Sequence, residues 1–345
     1  MKKPTHILVI RLSAMGDVAM IVPVLRVFSN TYPEVQLTVL SRAFFKPFFK
    51  DFSNVKFLEA DVNKKHKGLT GLLKLSKEAN SLKIDAVADL HNVIRSKIIT
   101  RYLKVSGKKT ATLEKGRKEK KSLTREKNKD FKQLKTTHDR YADVFKSLGF
   151  PLDLKNFNPL PQKEYTSNIL NLLGEKNKTI IGIAPFAAYK SKMYPLSLMK
   201  KVITKLDQDS NYQIVLFGGG KEEIEKLNVI ENEFSSVINT AGKLSFTEEL
   251  SLISNLSVMI SMDSGNGHLG AIFGIPILTL WGVTHPFAGF TPFGQAFENQ
   301  LLADSIKYPL VPTSVYGNKF PENYENAMET ISPEEVVDKV NSILL

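Results

Sequence analysis

Short apolar runs alternate with amphipathic stretches along the chain. Ile7–Ile10, Val35–Leu40, Val55–Leu58 and Ile84–Ala88 are brief, mainly apolar blocks, the pattern of strands buried on both faces of a parallel sheet. Between the first two, Val18–Asn30 places Val18, Ile21, Val22, Leu25 and Phe28 on one helical face. Pro23 lies inside that pattern and predicts a kink or an irregular first turn. Lys64–Ser81 reads as a basic, leucine-bearing helix; a helix with Arg95, Ser96 and Arg101 follows Ile84–Ala88, and another covers about Thr137–Leu148. Gly149–Gln162, with three prolines and two asparagines, reads as an interdomain linker.

Beyond the linker the alternation restarts. Thr179–Ile183, Gln213–Phe217, Val237–Asn239, Leu256–Ile260 and Ile277–Leu280 read as strands. Pro195–Asp207, a segment from about Glu222, Thr247–Ile253 and His268–Phe273 read as helices. Two α/β halves of similar size predict two doubly wound, Rossmann-like domains facing each other across a cleft. The expected bounds are 1–155 for the first domain and 163–331 for the second. Residues 332–345 open with Ser-Pro-Glu-Glu and read as a last helix, expected to return toward the first domain.

In such sheets ligands bind at the carboxyl ends of the strands, and helix N-termini there attract phosphate. Asp263-Ser264-Gly265 breaks the chain after Leu256–Ile260, so Asp263, Ser264, Gly265 and His268 are expected to converge at that edge. Gly265 and Gly267 are expected to let a ligand approach the backbone. Asp263 and Ser264 as helix caps, with His268 as packing, is the other reading of the same spacing. The turn RLSAMGD after Ile7–Ile10 brings Asp17 to the corresponding edge of the first half; it lacks G-x-G-x-x-G and is no dinucleotide fingerprint. Lys190 and Lys192 sit in the loop Ala184–Tyr194, and Glu222 follows Gly218-Gly219-Gly220. Lys192 and the backbone N–H groups of Ser264–Gly267 suit a diphosphate, and Glu222 suits ribose hydroxyls. There is no Walker A pattern and no His/Asp/Glu cluster at metal spacing, so the expectation is a diphosphate leaving group met by protein charges, with neither metal nor cofactor required.

Charge changes the picture further. The net charge is +12, and Lys108–Lys135 holds twelve Lys or Arg against four acids, so +8 of it lies there. A solvated loop is one reading; a dock for an anionic partner is the other. With Phe131 as its sole aromatic, the stretch suits a membrane surface or an anionic glycolipid better than single-stranded nucleic acid. Ser41–Ser53 carries five phenylalanines, read as packing on the sheet with a possible lipid-touching edge. The chain has no cysteine, which excludes a disulfide framework and Cys-ligated zinc. The apolar run before Arg11 is four residues, too short for a signal-peptide core, and no segment approaches a membrane span. A cytoplasmic protein is expected, peripheral at the inner face of the cytoplasmic membrane.

RLSAMGDVAMIVPVLR, ADLHNVIRS, KMYP, FGGGKEE and MDSGNGHLGAIFGIPILTLWG, in this order over both halves, resemble the heptosyltransferases of glycosyltransferase family 9. The resemblance implies a GT-B fold and inverting transfer of heptose from ADP-heptose to the Kdo–lipid A inner core of lipopolysaccharide. It implies Asp17 as general base, Lys192 at the donor phosphates and Glu222 at the nucleoside. It also places Asp263, Ser264, Gly265 and His268 on the donor motif. His91 and Arg95 are candidate acceptor contacts. Pro185-Phe186-Ala187-Ala188 lacks the hydroxyls usual in the family's phosphate loop, and Tyr194 stands where a tryptophan is usual. The competing readings are a family member with another nucleotide sugar, a sugar-nucleotide 2-epimerase, and a non-catalytic protein that binds anionic glycolipid.

Overall fold

A computed structural model describes residues 3–174 and 178–345. Met1 and Lys2, at the start of the 1–155 range expected for the first domain, and residues 175–177, inside the 163–331 range expected for the second, lie outside the described residues. The chain divides into two compact units.

The first unit comprises Met1–Lys115 and Thr136–Leu160. Its strands are β1 (His6–Ile10), β2 (Gln36–Ser41), β3 (Val55–Glu59), β4 (Ala86–Asp89) and β5 (Lys109–Thr112). All pair in parallel, in the order β3-β2-β1-β4-β5. Strands this short hold because they are buried: Ile7, Leu8, Val9 and Ile10 are fully shielded, and each such side chain contributes about 1.5–3 kcal/mol. The expected helix over Val18–Asn30 is split into α1 (Met15–Ala19) and α2 (Ile21–Thr31), with Met20 between them. Pro23 explains the break. It has no N–H to give to Ala19, and its ring crowds that carbonyl. α3 (Gly68–Ser81) and α4 (Ile94–Val105) complete two crossovers. Of the phenylalanine-rich segment, Phe45, Phe48, Phe49 and Phe52 are buried and Phe44 is exposed.

The strand order reverses between β1 and β4. The carboxyl ends of those two strands are therefore the topological switch point of this unit.

After β5 the chain joins the second unit, which comprises Gly116–Lys135 and Pro161–Leu345. The basic stretch is thus ordered there, and the boundary is not a single break near residue 155. It forms α5 (Arg117–Leu123), whose Leu123 clusters with Leu134 and Ala288. Lys120 is buried, with Nζ 4.0 Å above the ring of Phe290. Lys129 Nζ donates to the carbonyls of Leu310 and Pro312, and Phe131 packs on His285 and Phe287. These contacts commit two of its twelve cations and its one aromatic to packing. α6 (Thr137–Leu148) then returns to the first unit, ended by Gly149 in the left-handed region (φ 100°).

The rest of the second unit contains α7 (Ser167–Leu173), β6 (Thr179–Ala184), α8 (Leu196–Leu206), β7 (Tyr212–Leu216), α9 (Lys221–Glu231), β8 (Val237–Asn239) and α10 (Phe246–Ile253). β9 (Val258–Met262), α11 (Gly265–Ala271), β10 (Ile277–Trp281), β11 (Gln300–Leu302) and α12 (Pro333–Leu344) follow. The six strands are parallel, in the order β11-β10-β9-β6-β7-β8, so β6 and β9 flank the switch point. α12, expected to return toward the first domain, packs within the second unit. Val336 and Val340 share a buried cluster with Met199, Val202 and Ile203 of α8, because the apolar stripe of α12 finds its counterpart there. No helix among the described residues is long and apolar enough to cross a membrane.

Candidate active site

In the second unit the loop after β6 carries Lys192 and the turn after β9 carries Asp263. The two neighbouring strands deliver them to the switch point, where Lys192 Nζ lies 3.0 Å from Asp263 Oδ2. Both side chains are nearly enclosed, at 11% and 10% exposure. A carboxylate so placed orients the lysine, and an ammonium with three N–H groups keeps others for a second anion.

Lys192 is held from behind. It ends a short 3₁₀ turn, Lys190–Lys192, whose Ser191 is fully buried and donates its hydroxyl to the carbonyl of Gly317 at 2.5 Å. Gly317 sits at φ 82°, and a Cβ there would come within 2.5 Å of Lys192 Cγ. Ser314 Oγ accepts the N–H of Gly317 at 3.0 Å and closes this clamp.

Ser264 is the N-cap residue of α11, yet its hydroxyl makes no capping bond. The hydroxyl oxygen is buried and has no hydrogen-bond partner among the described residues. A buried polar group left so costs free energy unless something binds it. Gly265 opens α11 and His268 is buried one turn on. At Gly267 a Cβ would meet Ser261 Oγ at 2.6 Å and Pro292 Cγ at 3.2 Å, so the missing side chain lets α11 press against β9. After β7, Glu223 Oε2 accepts the N–H of Gly219 at 2.8 Å and shapes the glycine turn, while Glu222 is exposed. Tyr194 is core, its hydroxyl donating to the Ile331 carbonyl at 2.8 Å.

In the first unit Arg11 leaves β1 and Asp17 sits on α1. Arg11 Nη2 lies 2.5 Å from Asp17 Oδ2, and Nη1 donates to the Leu90 carbonyl at 2.8 Å. The guanidinium is buried and the carboxylate is 32% exposed. Asp17 also accepts the Ala14 N–H at 3.2 Å, so it caps α1 while keeping an outward face.

Beside it, Asp89 at the end of β4 is fully buried and accepts from the N–H groups of His91 and Asn92 and from Ser96 Oγ. His91 is buried, and Leu12 N–H points at its Nδ1 at 3.4 Å. Burial, with the Arg11 charge adding to it, lowers the His91 pKa to about 3. The ring is therefore neutral at pH 7 and brings no positive charge to an anion. Arg95, in the first turn of α4, is exposed.

Sequence reasoning missed Arg11, which stands in the quoted RLSAMGD and whose position directly after β1 was the available signal. It also missed Ser191 and Gly317, which are 126 positions apart and leave no local mark, and with them Ser314, whose bond to Gly317 is local but matters only through that long-range contact. Tyr141 of α6 was likewise not singled out; it is fully buried, its hydroxyl has no partner among the described residues, and burial raises its pKa.

The model of the family described as "Glycosyltransferase family 9 (heptosyltransferase)" matches residues 72–311, well over half of the chain. The chain belongs to glycosyltransferase family 9. As a member of it the protein is a glycosyltransferase, and its two parallel sheets are those of the GT-B fold.

Among relatives, it is 24% identical to lipooligosaccharide heptosyltransferase 2 of Campylobacter jejuni, over 96% of this chain and 95% of that one. Among solved structures, a family 9 glycosyltransferase from Veillonella parvula superposes with a TM-score of 0.75 at 19% identity, covering 99% of this chain and 97% of that one. The ADP-heptose lipopolysaccharide heptosyltransferase II of Escherichia coli gives 0.69 at 18% identity, covering 98% of each. In this family 9 chain the matched region takes in Lys192, Glu222, Asp263, Ser264, Gly265 and His268, whereas Asp17 and the Gly317 clamp lie outside it.

Proposed function

We propose that this glycosyltransferase transfers heptose, with inversion, from ADP-heptose to an anionic acceptor of the Kdo–lipid A inner core in lipopolysaccharide assembly. The observation that carries the reading is the shielded Lys192–Asp263 pair beside a Ser264 hydroxyl without a partner among the described residues, at the β6/β9 switch point. A lysine already oriented by a carboxylate, with N–H groups to spare, suits a diphosphate, and Ser264 and Gly265 add an O–H and an N–H. Glu222 receives the nucleoside, since Glu223 is occupied with Gly219, and His268 lines the donor side. The family membership and the names of the relatives favour heptose and ADP over other sugar nucleotides.

In the reaction Asp17 takes the proton from an acceptor hydroxyl as that oxygen attacks the anomeric carbon. The bond from the anomeric carbon to the β-phosphate oxygen breaks on the opposite face, and ADP departs with its negative charge drawn to Lys192. Arg11 holds the Asp17 carboxylate in place. Arg95 meets acceptor charge, and His91 supports it as a neutral ring. Exposed cations of the basic stretch, Arg117, Lys118, Lys121 and Arg125 among them, dock the protein on the inner face of the cytoplasmic membrane.

The test is ADP release from ADP-heptose with a Kdo–lipid A acceptor, run against a panel of other nucleotide sugars. We expect turnover with ADP-heptose and a fall of about 10²–10⁴-fold in Asp17→Ala. Turnover with another donor alone would reassign the sugar, and an Asp17→Ala enzyme as fast as wild type would remove the base.

A further inference from the structure

We propose that the cavity between α4 and the edge strand β5 binds a ligand carrying two phosphate groups, apart from the residues assigned to sugar transfer. The cavity is about 710 Å³ and is lined by Lys97, Thr100, Arg101 and Lys104 of α4 and by Thr110 and Thr112 of β5. Lys97, Arg101 and Lys104 recur at the spacing that puts side chains on one helical stripe. α4 contains no acidic residue, and none of the three cations has an ion pair among the described residues. Three like charges on one stripe repel one another, an arrangement that an anion relieves.

One acid lines the cavity, and it is already satisfied. Asp89 is fully buried, and its carboxylate accepts from two backbone N–H groups and from Ser96 Oγ; it makes no ion pair with the stripe among the described residues, and the lining keeps three cations against this one acid. The opposite wall is β5, which pairs with β4 alone. Thr110 and Thr112, two apart, share one face of it, and Thr100 is buried with its hydroxyl lacking a partner among the described residues.

The chemistry of this lining is that of a phosphate site: an arginine fork, two ammonium groups and hydroxyl donors. From Lys97 to Lys104 the helix advances about 10 Å, more than one phosphate spans and suited to two. The same chemistry is offered by a free sugar bisphosphate and by a bisphosphorylated lipid headgroup.

The experiment is titration calorimetry of the full chain with inorganic phosphate and with fructose bisphosphate. A parallel arm measures sedimentation with phosphatidylcholine vesicles containing a bisphosphorylated phosphoinositide. Wild type should bind at least one bisphosphorylated probe more tightly than inorganic phosphate. The triple variant Lys97→Gln/Arg101→Gln/Lys104→Gln should lose about tenfold or more of that affinity, with an unchanged unfolding temperature. Loss confined to vesicles assigns the headgroup; loss with the soluble sugar assigns the free ligand. As a second readout on unmodified protein, the bisphosphorylated probe should slow acylation of Lys97 and Lys104 but not of exposed Lys77. Equal affinity in the variant, no preference over inorganic phosphate, or unaltered acylation rates would overturn the proposal.

Discussion

The two switch points are built on the same plan and finished differently. Each sets a cation and a carboxylate at the carboxyl edge of a parallel sheet. In the first unit the cation is buried and the carboxylate looks outward: Arg11 is tied to the Leu90 carbonyl, and Asp17 is 32% exposed. In the second unit Lys192 and Asp263 are shielded to the same degree, with a hydroxyl left over beside them. The difference matches a division of labour. An outward carboxylate held from behind by a guanidinium suits proton removal from an incoming alcohol. An enclosed lysine steered by a carboxylate suits an anionic leaving group, whose charge is felt more strongly away from water.

This contrast can be broken at several points. Lys192→Met should lower kcat/KM by about 10²-fold through lost stabilisation of the departing diphosphate, measured by steady-state ADP release. A smaller loss than in Asp17→Ala is expected; an effect below twofold would show that the pair is only structural. Gly317→Ala tests the clamp. It forces a side chain into the left-handed region and against the Lys192 stem, so the KM for donor should rise about tenfold at a stability cost of about 1–2 kcal/mol. A loss of stability with unchanged KM would leave the clamp without a role at the site.

Acid should act on both units next. Burial, with Lys129 adding to it, lowers the His285 pKa to about 4, and His91 lies at about 3. Each ring stays neutral in the folded protein, while the unfolded chain takes up a proton below its ordinary pKa of about 6.5. Stability is therefore insensitive to these groups above pH 6.5. It falls as pH drops from there toward about 4, by at most about 1.4 kcal/mol per pH unit per ring. His285→Gln should flatten the thermal unfolding profile in that window. A slope equal to wild type would show that the ring between Phe131 and Phe287 is not shielded as described. The smallest effect is expected at the surface. Changing Lys118, Lys121 and Arg125 to Ser should weaken association with anionic vesicles several-fold, more at low salt than at high. Unaltered association and salt dependence would remove the membrane role from this stretch.

Much of this was legible from the sequence, for identifiable reasons. Buried parallel strands announce themselves as short apolar runs, so β1, β2, β6, β9 and β10 were readable, and each turn chemistry that follows a strand pointed to its edge. What escaped lacked such a local mark. β5, Lys-Thr-Ala-Thr, has no apolar core of its own and exists because β4 pairs with it. α5 lies in a run of cations whose composition suggests a solvated loop; what orders it is Leu123, Lys120 and the aromatic residues near position 287, more than 150 positions away. The individual candidates Asp17, Lys192 and Asp263 were visible as polar residues after strands. That Arg11 holds the first, and that the other two pair at 3.0 Å, depends on the order in which strands lie side by side, which local pattern does not encode.

The division of labour between the two pairs is tested most directly by the affinity for ADP, measured by calorimetry in the absence of acceptor. Asp17→Ala should bind ADP as wild type does, and Lys192→Met should bind it about tenfold or more weakly. The reverse pattern, ADP affinity lost with Asp17 and kept without Lys192, would contradict the account.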